Sequence, residues 1–156
     1  MSAYYPPVGF HFKVEFLGVD GMDSDTEHRF QEVGGLSFEI ETEELREGGE
    51  NRFTYKLPKR VKYPNLILKR GLLQGTAILN WFKSATDSFF CANPFSIFQP
   101  ADLMITLMDE ADQPVAIWNV IQAYPLKWAV SEFKATENAI AVETIELAYQ
   151  YFERKL

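Results

Sequence analysis

Few residues in this sequence are of the types that carry catalysis, and their spacing does not bring them together. His11 and His28 fall on strand-like segments with no partner at metal-ligand spacing, so each reads as an exposed strand residue rather than a catalyst or ligand. There is no glycine-rich phosphate loop and no paired Cys/His spacing. No serine stands in a nucleophile-elbow context. Asp109, Glu110 and Asp112 are close in sequence but lack the regular oxygen spacing of a calcium loop, which makes them a solvated turn. Cys91 is the single cysteine and cannot form an internal disulfide. Between Phe90 and Ala92 it reads as a small buried thiol rather than a reactive one. On these residues the chain is expected not to be an enzyme and to hold no cofactor or metal.

What the sequence does contain is a split of charge. Glu39, Glu41, Glu43, Glu44, Glu47 and Glu50 follow one another with only Arg46 against them. From Asn51 to Thr86 there is then no Asp or Glu, while Arg52, Lys56, Lys59, Arg60, Lys62, Lys69, Arg70 and Lys83 all fall there. Adjacent blocks of opposite sign can pair within one fold or with the opposite block of another copy. Between copies, such patches set register more than affinity. Read alone, the glutamate run is the wet face of a strand. Its alternative is an assembly contact. The basic block, with Tyr55 and Tyr63 interleaved, also has the residue types that hold phosphates and stack on bases. A net charge of −7 and a pI near 4.9, with no nucleic-acid module visible, argue against that partner.

The elements that must position these charges follow from length and periodicity. At 156 residues the chain is expected to be one domain. A domain of that size buries roughly 70% of its unfolded surface. Hydrophobic residues at 47% and aromatics at 15% exclude a disordered chain. No apolar run approaches the roughly 18 residues of a membrane span. The first residues lack a basic stretch followed by an apolar one, so no secretory signal is read.

Phe10, Phe12, Val14 and Phe16 alternate with His11, Lys13 and Glu15, which predicts a half-buried strand. Residues 20–25 read as a loop. A second strand begins near His28, and Gly34-Gly35 interrupts it where the apolar phase changes. Two glycines there predict a bulge or bend from one sheet into another. Glu47-Gly48-Gly49-Glu50-Asn51 predicts a hairpin turn, so residues 37–57 form a long charged arm with a returning strand from Arg52 to Leu57. Pro58 and Pro64 are expected to bracket a basic loop, and Leu66-Ile67-Leu68 a strand stopped by Gly71. Thr76 to Thr86 predicts the helix, capped by Thr76, with Ile78, Trp81, Phe82 and Ala85 on one face. Ala101 to Met108 alternates, 109–114 turns, and Val115 to Tyr124 returns until Pro125. Asn138 to Phe152 changes parity: a strand with a bulge near Glu143-Thr144, a strand buried on both faces, or a helix would each account for it. The sum is a mostly β, antiparallel domain with one helix.

Five stretches in order resemble the inner tube proteins of contractile phage tails and extracellular contractile injection systems. They are Phe10-His11-Phe12-Lys13-Val14; Phe30 to Leu36 with the glutamate strand and Glu47-Gly48-Gly49; Lys56-Leu57-Pro58 leading to Leu66 through Gly71; Met108-Asp109-Glu110 through Trp118 and Ala123 to Trp128; and Ala141 to Tyr149. The family often has Ser where Gly34 stands and Gly where Lys59 stands, and residues 89–99 match least. The resemblance implies two packed antiparallel sheets, barrel-like, with a helix outside. It implies six copies closing a ring, and rings stacking into a tube inside a contractile sheath. A baseplate and a terminal cap would be partners, the lumen would be available to cargo, and a membrane would be met only by mechanical puncture. A chain of that kind would be made in the bacterial cytoplasm and work in an assembled particle. The arm at 37–57 would reach a neighbouring ring, with its glutamates meeting the basic residues of another copy. The alternative reading is a monomeric β-barrel that binds a small apolar ligand, supported by the aromatic content alone.

Overall fold

The computed structural model describes residues 9–19, 29–72, 77–89, 98–131, 136 and 141–156. Alternation decides most of the sheet. In β1 (His11–Leu17) Val14 and Phe16 are buried, and in β7 (Ala101–Met108) Ala101, Leu103 and Ile105 are. The two strands pair antiparallel along their length, from His11↔Met108 to Leu17↔Asp102. The remaining strands are β2 (Arg29–Phe30), β3 (Glu32–Gly34), β4 (Glu39–Leu45), β5 (Tyr55–Lys62), β6 (Leu66–Gly71), β8 (Pro114–Val130), β9 (Val142–Ala148) and β10 (Tyr151–Arg154). Their order is β2-β1-β7-β8-β9-β6-β3, with β10 also on β8, while β4 and β5 form a separate pair. Every pairing is antiparallel.

The long β8 serves two sheets. Its first half pairs with β7 and β10, its second half with β9. The bend lies at Gln122, whose φ is +53° and whose N–H donates to the Asp102 carboxylate at 2.9 Å. Segment 29–34 does the same on the far side: β2 pairs with β1, β3 with β6, and the crossing falls at Gln31. Two antiparallel sheets therefore face one another, and among the described residues no hydrogen-bonded pairing closes them into a barrel. Between them Val14, Phe16, Leu103, Ile105 and Val120 of one sheet meet Leu66, Leu68, Ile145 and Leu147 of the other. Helix α1 (Ala77–Phe89) adds Ile78 and Trp81 to this core, with Trp81 edge-on to Phe16 at 5.7 Å. The apolar face read from the sequence is the one buried, since Ile78, Trp81 and Ala85 are inside and Phe82 is half-buried. The Thr76 cap, His28, Cys91, the 20–25 loop and most of the 89–100 stretch lie outside the described residues.

Three expectations are corrected. Pro125 does not stop its strand: β8 continues to Val130, because the ring falls at a register shift against β9, where a ladder N–H is dispensable. Lys59 to Lys62 are strand rather than loop, since Pro58 sits beside an irregularity in the β4–β5 pairing. No bulge occurs at Glu143-Thr144, nor a helix. The β6–β9 register is unbroken from Leu66↔Leu147 to Gly71↔Val142, and Glu143, Ile145 and Leu147 all point inward. The change of parity arises because Val142 lies on the half-buried outer face, and because the chain breaks at Gln150 and starts β10 on the other sheet.

The 109–113 turn is held locally. Asp109 Oδ1 accepts the N–H groups of Ala111 and Gln113, each at 2.8 Å, and Asp112 takes a φ of +56°. His11 has a partner here, its Nε2 lying 2.9 Å from Asp112 Oδ1.

Candidate functional site

The charged residues singled out in the sequence gather on one element, the β4–β5 hairpin. It is launched by Gly35 rather than by both glycines. Gly35 has a φ of +90°, and a Cβ there would run into the Asn65 carbonyl oxygen. Gly34 has ordinary space beside Ile67. The Gly35 carbonyl is fixed by the Tyr149 hydroxyl, which donates to it at 3.0 Å. Burial, and then the neighbouring Tyr63 hydroxyl, push Tyr149 up to about 12.

Within the hairpin the two charge blocks oppose each other. Glu39 lies across from Lys62 and Glu44 across from Lys56. Glu41 binds Arg60 at 2.5 Å and also Lys62, and Glu43 approaches Lys59 at 3.7 Å. At the turn, Glu50 holds Arg52 at 3.0 Å. The Lys62 and Arg60 bonds hold the Glu41 carboxyl below its ordinary value, and Arg52 does the same for Glu50. Between Ile40↔Val61 and Thr42↔Pro58, Lys59 and Arg60 both oppose Glu41, which is a bulge that places two cations around one carboxylate. From residue 39 to 62 there are six glutamates against six lysines and arginines, so the arm is neutral by itself. Glu39, Glu44, Glu47 and Lys56 form no ion pair among the described residues.

The hairpin's apolar residues stay about half exposed. Among the described residues it shares no ladder with the other strands. Cross-strand pairing places Leu45 with Tyr55 and Glu43 with Leu57 on one face near the tip. There Leu45, Phe53, Tyr55 and Leu57 are 47%, 51%, 44% and 45% exposed, with the Phe53 and Tyr55 rings edge-to-face at 5.1 Å. Nearer the root, Ile40 and Val61 form an exposed pair on the opposite face. An isolated two-stranded ribbon is marginal in water. A contiguous exposed apolar tip marks an interaction surface.

Two of the basic candidates lie off the arm. Lys69 binds Glu32 across the β3–β6 pair at 3.1 Å. Arg70, taken from the sequence as a contact residue, is corrected to an interior one: it is 2% exposed, and its Nε donates to Glu143 Oε2 at 2.9 Å. Glu143 is fully buried, and its other oxygen accepts the Trp128 indole N–H at 2.6 Å. Arg70 also stacks over the Phe30 ring at 5.0 Å. Sequence reading passed over this cluster, although parity pointed to it. Leu66, Leu68 and Arg70 share one face of β6, and Glu143, Ile145 and Leu147 share one face of β9.

A second surface also went unread. Between α1 and the second half of β8 runs a groove of about 620 Å³, lined by Leu79, Phe82, Leu126 and Trp128 and by the lysines Lys83 and Lys127. Among the described residues no three metal-ligating side chains converge, and no helix is long and apolar enough to cross a membrane.

Over nearly its full length the chain is similar in structure to chains of solved assemblies. One is a chain of the anti-feeding prophage baseplate, at 26% identity and a TM-score of 0.76, covering 97% of each chain. Another is a chain of the extracellular contractile injection system PVC, solved as its sheath–tube complex in the extended state. It shares 25% identity at a TM-score of 0.72, covering 98% of this chain and 93% of that one. Hcp1 from Salmonella typhimurium shares the fold at 14% identity and a TM-score of 0.57, covering 94% of this chain and 86% of that one. No protein of curated function matches the sequence. A family profile described as T4-like virus tail tube protein gp19 matches residues 8–153. The chain belongs to the family of T4-like virus tail tube proteins.

Proposed function

We propose that this chain is the repeating subunit of the inner tube of a contractile injection machine. Six copies close a ring, rings stack into a rigid hollow tube, a sheath surrounds it, and a baseplate and a cap bound its ends. Sheath contraction drives the tube through a target membrane, with the lumen open to cargo. The chain is made in the bacterial cytoplasm and acts in the assembled particle. The arm carries this reading: a hairpin detached from the body, with large apolar side chains in water, is stable only when a neighbour covers it. The likeness to a sheath–tube complex over nearly the whole chain supports the same reading.

The contact between rings is made by the arm, through its apolar tip and the carboxylates Glu39, Glu44 and Glu47, which form no ion pair among the described residues. Because the arm's two strands neutralise each other, pairing with a second copy is not needed to balance either of them. The same neutrality leaves little net positive charge to attract nucleic acid.

Negative-stain microscopy of the purified chain at high concentration, with baseplate supplied, should show six-fold rings or tubes. Replacing Leu45 and Leu57 by Ser should abolish them while leaving monomer melting within about 0.5 kcal/mol of the parent, as expected for exposed positions. A chain that stays monomeric under those conditions would refute the reading and favour the ligand-binding barrel.

A further inference from the structure

The α1–β8 groove and the arm tip are two unmatched apolar surfaces of one chain. We infer that the tip of one copy's arm seats in the α1–β8 groove of another, an assignment that rests on the tube reading. The tip offers Leu45, Tyr55 and Leu57 on one face, all about half exposed, with Glu43 on that same face. Glu43 reaches Lys59 only at 3.7 Å, and both side chains are more than half exposed, so its carboxylate is open to a stronger partner. The groove has the complementary character. It is lined by Leu79, Phe82, Leu126 and Trp128 and by the lysines Lys83 and Lys127, the latter across from Glu146 of β9. Neither lysine has an ion-pair partner among the described residues. The groove's volume is about 620 Å³, within the roughly 300–1,000 Å³ of clefts that bury a drug-sized molecule.

The backbone fits as well. Among the described residues, β8 beyond Tyr124 is paired with β9 on one side only, so its other edge keeps ladder groups for an incoming strand. The lining is also rigid, since Trp128 is tied through its indole to the buried Glu143–Arg70 pair. Because tip and groove are different patches of the same chain, their contact is heterologous and adds copies in series, as a stacked tube requires.

The test is a cysteine pair. In assembled particles, Leu45→Cys with Leu126→Cys should give a ladder of disulfide-linked multimers on non-reducing gels. Each single variant, with Cys91 in place, should give none. Glu43→Lys alone and Lys83→Glu with Lys127→Glu should each shorten tubes several-fold, and the triple variant should restore length. Tubes that assemble normally, give no ladder and ignore the charge swap would overturn the groove assignment and leave the tube reading standing. Failure of the parent chain to assemble would overturn both.

Discussion

Glu143 offers the sharpest test of how this fold is held. Its carboxylate sits in the core with Arg70 at 2.9 Å and Trp128 at 2.6 Å, bridging β6, β8 and β9. At an effective dielectric of 20, two unit charges 2.9 Å apart attract by about 6 kcal/mol. Removing each ion from water costs several kcal/mol, so the intact pair contributes little net stability. Breaking it is another matter. Glu143→Gln keeps the shape and an acceptor for Trp128 but removes the buried carboxylate to which Arg70 Nε donates, at a cost of about 3–5 kcal/mol. A chain of 156 residues has roughly 8–23 kcal/mol in total, so the loss is plain in a urea titration of the monomer. The double variant Arg70→Met, Glu143→Leu removes both charges and should return to within about 1–2 kcal/mol of the parent, or exceed it. Circular dichroism at matched concentration, below the threshold for assembly, measures Glu143→Gln and the cycle formed by the parent, Arg70→Met, Glu143→Leu and their double variant. A Glu143→Gln cost under about 1 kcal/mol, or a double variant as unstable as the sum of the singles, would refute the argument.

The launch of the arm and its tyrosine latch give two further tests. Gly35→Ala forces a side chain into the left-handed region and against the Asn65 carbonyl, so it should cost at least about 1–3 kcal/mol. Gly34→Ala, with its nearest neighbour at 3.9 Å, should cost much less, and equal effects in thermal melts would contradict the assignment. Tyr149, pushed up to about 12, is favoured in its neutral form by the fold. Its contribution is therefore complete below the ordinary tyrosine value near 10 and lost as pH rises from there to about 12. The parent should melt higher than Tyr149→Phe at pH 8, by the equivalent of about 1 kcal/mol for the lost hydrogen bond to Gly35. That gap should close by pH 12, and one that stays constant would exclude the mechanism.

Local pattern was enough to read much of this protein. Alternation placed β1 and β7, the i, i+3, i+4, i+7 spacing of Ile78, Trp81, Phe82 and Ala85 placed α1 and its inner face, and the turn residues at 109–113 placed the β7–β8 hairpin. The glutamate and lysine blocks announced the arm, and the ordered motifs announced the family. Each of these signals lies within one element or between chain neighbours. What the tertiary structure alone decided depends on register between strands distant in sequence. Pairing Glu41 with Arg60 and Lys62 turned two charge blocks into one neutral ribbon. Pairing Arg70 with Glu143, 73 residues apart, turned an apparent surface cation into a core residue. Pro58 and Pro125 remain inside strands because irregularities in the partner register remove the need for their N–H groups. Strand parity says which side chains share a face, but only the partner strand says whether that face meets water or core.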